Sequence, residues 1–132
     1  MKYKDDMTAE ELRALLNALP AELSFVDADG TIRYFNEGRK VFARPASALG
    51  RPVYACHKPE SAPAVRAMLD ELSSGRRDRA DEWLERDGRV WLNSYIAVRG
   101  EDGAYLGTLE LIRDMEDARA HFAAGNGEDG KE

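Results

Sequence analysis

The stretch Arg89-Val-Trp-Leu-Asn-Ser-Tyr-Ile-Ala-Val-Arg-Gly-Glu-Asp-Gly-Ala-Tyr-Leu-Gly-Thr-Leu-Glu-Leu-Ile-Arg113 decides the fold. Two runs rich in β-branched and aromatic residues flank Glu101-Asp102-Gly103, and Gly103 supplies the positive φ that a tight turn needs, so the stretch predicts a β-hairpin. Alternation sets Trp91, Asn93, Tyr95 and Ala97 on one face of the first strand, and Val90, Leu92, Ser94, Ile96 and Val98 on the other. Both faces are too apolar for a sheet with one side in water. A register opposing Tyr95 to Thr108 puts Glu110 across from Asn93 and Ile112 across from Trp91, whereas a one-residue slip would turn Glu110 to the other face. The first register leaves one face wholly aliphatic, joined by Leu109 and Leu111, and makes the other a mixture of aromatic rings, an amide and a carboxylate. The aliphatic face is expected to pack, and the mixed face to line a cavity.

Upstream, Thr8-Ala9-Glu10-Glu11 has the spacing of a capping box, with Leu12, Leu15, Leu16 and Leu19 following at helical intervals, which predicts an amphipathic helix ending at Pro20. Its leucine stripe is the natural cover for the aliphatic sheet face within one chain, or a contact between two chains. Leu23 to Val26 and Thr31 to Phe35 read as strands joined by Asp27-Ala28-Asp29-Gly30. Asn36 is placed to cap a short helix reaching Phe42. The segment from Val53 to Pro63 reads as irregular, and a helix starting at Pro63 carries Val65, Met68, Leu69 and Leu72 on one face before Gly75 closes it. A strand from Asp78 to Arg86 enters the opening hairpin through Asp87-Gly88. A weak helix from Asp114 to Ala124 leaves the sheet, and the polar, Gly-rich residues from Gly125 onward are expected to be disordered.

The 132 residues suffice for one domain with one core. No apolar run approaches a membrane span and the charged N-terminus lacks a leader's apolar region, so a cytoplasmic location is expected. Cys56 is the only cysteine, which excludes an internal disulfide and an all-cysteine zinc site within one chain. A net charge of −6 argues against nucleic acid, and Arg76-Arg77-Asp78-Arg79 is too short and interrupted to reverse it.

The order of elements, with the first hairpin reading Leu23-Ser-Phe-Val-Asp-Ala-Asp-Gly-Thr-Ile-Arg-Tyr-Phe-Asn36 and the last turning through Val98-Arg-Gly-Glu-Asp-Gly-Ala-Tyr-Leu-Gly-Thr108, resembles the PAS domain family. More narrowly, Phe35-Asn36-Glu37-Gly38, Gly50-Arg51-Pro52 and Cys56-His57-Lys58-Pro59 are similar to the PAS module found beside hemerythrin-like domains in bacterial proteins. The resemblance covers roughly residues 19 to 117. It implies an α+β fold: a five-stranded antiparallel sheet with helices on one face, enclosing a small-molecule pocket; the leucine stripe places the N-terminal amphipathic helix on the other. The division expected is an amphipathic helix over residues 1–19, a PAS-like sensory domain over 20–117, and an exit helix with tail over 118–132. The chain lacks the Asn-Cys-Arg-Phe-Leu-Gln signature of the flavin-binding light sensors, so flavin is not expected. The exit stretch Arg113-Asp114-Met115-Glu116-Asp117 is similar to the Asp-x-Thr-Glu segment that joins PAS domains to output domains, with Glu116 in place of Thr. Since no kinase, cyclase or DNA-binding domain follows, a stand-alone sensor is expected to report through an output protein in trans or through a homodimer built on the N-terminal helix.

Cys56 and His57 carry the candidate metal chemistry, since a thiolate or imidazole ligates haem iron or another soft metal; the alternative is a packed thiol and a turn-capping imidazole. Asn93 and Glu110, with Tyr95 and Tyr34, are placed to bind a polar ligand in an aromatic cavity, or to form an internal cluster in which Glu110 pairs with Arg33 or Arg113. Trp83 and Trp91 complete the candidate pocket, unless they are core. No nucleophile with a base, phosphate-cradling loop or carboxylate dyad is visible, so no enzymatic activity is expected. Three functions are open: a sensor of a small molecule or cofactor, a haem or metal redox or gas sensor using Cys56 or His57, and a dimerisation module without ligand.

Overall fold

The computed structural model describes residues 6–37, 46–53 and 59–125. Its elements are α1 (Ala9–Ala18), β1 (Glu22–Asp27), β2 (Ile32–Phe35), short 3-10 turns at Ala46–Ala48 and Pro59–Ser61, α2 (Ala62–Ser74), β3 (Arg79–Arg86), β4 (Arg89–Arg99), β5 (Tyr105–Asp114) and α3 (Glu116–Ala123). The strands form one antiparallel sheet in the order β2-β1-β5-β4-β3. This is the α+β architecture expected.

Local chemistry accounts for the boundaries. Glu11 N donates to Thr8 Oγ1 at 3.0 Å and Thr8 N to Glu11 Oε1 at 2.9 Å, so the capping box starts α1. That bond to Thr8 holds the Glu11 carboxyl below its usual range. Gly75, at φ 83°, closes α2 in the left-handed region. Asp87 and Gly88 both have positive φ, as a tight β3–β4 turn requires.

The hairpin register differs from the expected one by two residues. Tyr95 stands opposite Glu110, Asn93 opposite Ile112 and Trp91 opposite Asp114, with an irregularity between Val98 and Arg99. A two-residue offset preserves sidedness, so Asn93, Tyr95 and Glu110 still share a face. That face also carries Glu22, Ser24 and Val26 of β1 and Ile32 of β2. It is the inner face: Val26 and Ile32 form the main apolar cluster with Val53 and with Leu69 of α2, and Phe35, Val65 and Met68 pack against them.

The outer face carries Leu23, Phe25, Leu92, Ile96, Leu109 and Leu111, again by strand register. Helix α1 does not bury its stripe on this face. None of its residues is buried, and Leu12 and Leu15 remain 46% and 53% exposed. What ties α1 down is polar: Tyr34 OH donates to Asn17 Oδ1 at 3.1 Å, Glu37 N donates to the same oxygen at 2.9 Å, and Asn36 Nδ2 donates to Leu16 O at 3.2 Å. The outer face also holds a buried polar knot. Fully buried Ser94 donates to Asp81 Oδ1 at 2.6 Å and accepts from Arg113 at 2.8 Å.

Candidate functional site

Three residues converge on the inner face where β4 and β5 pair. Asn93 and Tyr95 are two apart on β4 and so point the same way, and the register brings Glu110 of β5 directly opposite Tyr95. Asn93 Nδ2 donates to Tyr95 OH at 3.2 Å and reaches Glu110 Oε2 at 3.5 Å. Asn93 and Glu110 are both buried, with Ser24 and Glu22 buried on the neighbouring strand. Burial pushes the Tyr95 phenol well above its ordinary range, and the Glu110 carboxylate, which accepts the phenol's proton in a hydrogen bond, adds to the effect. Asn93 Oδ1 is buried and has no hydrogen-bond partner among the described residues.

The other candidates lie elsewhere. Trp91 is on the inner face, partly buried, and its ring nitrogen donates to Arg86 O at 3.3 Å. Trp83 is 60% exposed and Tyr34 bonds to α1; both lie on the outer face, pairing with Leu92 and Phe25, so neither joins the cluster. Neither arginine proposed for Glu110 is beside it: Arg33 pairs with Asp27, and Arg113 on the outer face bonds Ser94. Cys56 and His57, the short helix expected after Asn36, and the tail beyond Gly125 fall outside the described residues. Among the described residues no group of three or more His, Cys, Asp or Glu is arranged to hold a metal, and no helix is long and apolar enough to cross a membrane. An open cleft of about 110 Å³ lies between the β1–β2 turn and α2, lined in part by Asp27, Asp29, Asp70 and Tyr105. It is separate from the Asn93 cluster.

Two polar hubs escaped the sequence reading. Asn36 is 2% exposed; its Oδ1 accepts from Leu23 N at 2.8 Å and its Nδ2 donates to Ala21 O at 2.9 Å as well as to Leu16 O. The second hub anchors the exit helix. Arg89 pairs with Asp114 at 2.8 Å and Asp117 at 3.2 Å, while Val90 N donates to Glu116 Oε1 at 3.2 Å. Arg119 grips Glu116 from within α3, and that bond, with the one from Val90, holds the Glu116 carboxyl below its usual range. The run of acids Asp114, Glu116 and Asp117, 25 to 28 residues after Arg89, was the available signal for this second hub.

A family signature described as "PAS domain" matches residues 12–116, and the chain belongs to the PAS domain family. The fold is correspondingly similar to solved structures. The C-terminal domain of a Streptococcus mutans protein is 29% identical with a TM-score of 0.83, over 91% of this chain and 95% of that one. A PAS domain from Colwellia psychrerythraea is 17% identical with a TM-score of 0.61, over 82% and 97%. A sensory box sensor histidine kinase from Vibrio cholerae is 21% identical with a TM-score of 0.55, over 78% and 88%. No curated protein matches the sequence. The fold is thus that of a PAS domain, similar to the fold of PAS domains in histidine kinases.

Proposed function

We propose that this PAS domain is a non-catalytic sensory module that holds a small molecule or cofactor between its sheet and helices, and reports occupancy through a second copy of itself or an output partner. One observation carries the reading: Asn93, buried on the inner face beside Glu110 and Tyr95, keeps a carbonyl oxygen without a partner among the described residues. An unpaired buried amide oxygen costs roughly 1 to 3 kcal/mol, and a bound ligand is a standard way to recover it. The reporting half of the proposal is supported by Arg89, two residues from inner-face Trp91, which pairs with Asp114 and Asp117 at the start of α3. The exposed leucines of α1 offer the surface for self-association.

Mass spectrometry of the purified protein, under native and denaturing conditions, tests the proposal by revealing a retained small molecule. Asn93→Leu fills a similar volume without the amide, so it should abolish retention while leaving the fold intact. Should the group be structural instead, the same change would leave no ligand to lose and lower stability by roughly 1 to 3 kcal/mol.

A further inference from the structure

We infer that the interior ligand presents an N–H or O–H donor to Asn93 Oδ1, and that an oxyanion is not what binds there; this rests on the ligand-binding reading above. The inference follows from the direction of the hydrogen bonds. A carboxylate only accepts, so Glu110 requires donors on its neighbours. Tyr95 spends its single proton on Glu110 and accepts from Asn93 Nδ2 at 3.2 Å, and the same Nδ2 faces Glu110 Oε2 at 3.5 Å. Turning the Asn93 amide over would set its carbonyl oxygen against a carboxylate and against a phenol oxygen with no proton left to give. The amide is therefore held one way round, and Oδ1 is left as an acceptor that is buried and without a partner among the described residues.

The neighbouring inner-face residues favour a neutral ligand over an anion. Trp91 has committed its ring nitrogen to Arg86 O, so it offers ring surface alone. Glu22 is buried on the same face two strands away from Asn93, which makes an anion still less welcome.

The test is a binding screen on the full chain by ligand-observed NMR, using small ring compounds in matched pairs: phenol against anisole, indole against N-methylindole, benzamide against N,N-dimethylbenzamide, with benzoate as the anion. The donor member of a pair should bind about tenfold or more tighter than its methylated counterpart, and benzoate should not bind. In Asn93→Leu, that preference should vanish. If the methylated compounds or benzoate bind wild type as well as the donors do, the inference is overturned while the interior ligand site stands. If no member of any pair binds, the inference is overturned, while the ligand-binding reading is decided separately by whether the purified protein retains a small molecule in native mass spectrometry.

Discussion

The ring of Phe25 occupies the space beside Gly107 so closely that a Cβ on Gly107 would lie 2.7 Å from its Cε1 and Cζ and would also run into Val26 O. Gly107 sits in β5 opposite Asp27 of β1 and Val98 of β4, so backbone crowds it from one side and an aromatic ring from the same strand pair. Gly107→Ala should therefore destabilise the fold by at least about 1 to 3 kcal/mol, since the obstructing carbonyl belongs to a paired strand and cannot swing away. Thermal melts would show this as a fall in Tm of roughly 5 °C or more. An unchanged Tm would mean that β1 and β5 separate more readily than their register indicates.

Asn36 joins three segments through one amide. Asn36→Ala leaves Leu23 N and the carbonyls of Leu16 and Ala21 without this partner, which should lower stability by about 2 to 3 kcal/mol in urea unfolding. Asn36→Asp keeps the acceptor for Leu23 N but points a charge at two carbonyls, so it should do no better than alanine. Rescue by aspartate would show that the bond to Leu23 carries the whole effect.

The phenol of Tyr95 ionises in the folded protein only above the ordinary value of 10.0. A group with a raised folded pKa contributes stability that is fully present below the unfolded value and is lost as pH climbs towards the folded one. Wild-type Tm should therefore begin to fall above about pH 10, and Tyr95→Phe should fall less steeply over that window. Parallel curves for the two proteins would place Tyr95 in contact with water.

Self-association should depend on α1. Leu15 is more than half exposed and shares its stripe with Leu12 and Leu19. Wild type is expected to sediment as a dimer at micromolar concentration and Leu15→Glu as a folded monomer, because a carboxylate at the centre of an apolar contact must be desolvated on pairing. A monomeric wild type would end this part of the proposal.

Much of the fold was legible because it rests on local signals. The capping box at Thr8, the glycines at 75 and 103, and the alternation along β4 each fix their element within a few residues of chain. The hairpin register differs by two because the turn closes on Gly100 and Ala104, which moves the pairing by one, and the irregularity between Val98 and Arg99 moves it by one more. The inner-face trio nevertheless came through, since an even offset keeps every side chain on its side. Asn36 was read as a helix cap because its partners Leu16, Ala21 and Leu23 lie 13 to 20 residues back, and only packing brings them together. Trp83 was assigned to the pocket by its residue type, whereas its position in edge strand β3 and its pairing with Leu92 turn it outward.

The strand order β2-β1-β5-β4-β3 has a consequence for biosynthesis. Two hairpins, β1–β2 and β3–β4, are complete early in the chain, yet they touch no common neighbour until β5 is inserted between them. The middle of the sheet is thus the last strand to leave the ribosome. Until about Asp114 has emerged, the nascent polypeptide carries two half-sheets with open edges at β1 and β4, the ones a chaperone would have to shield.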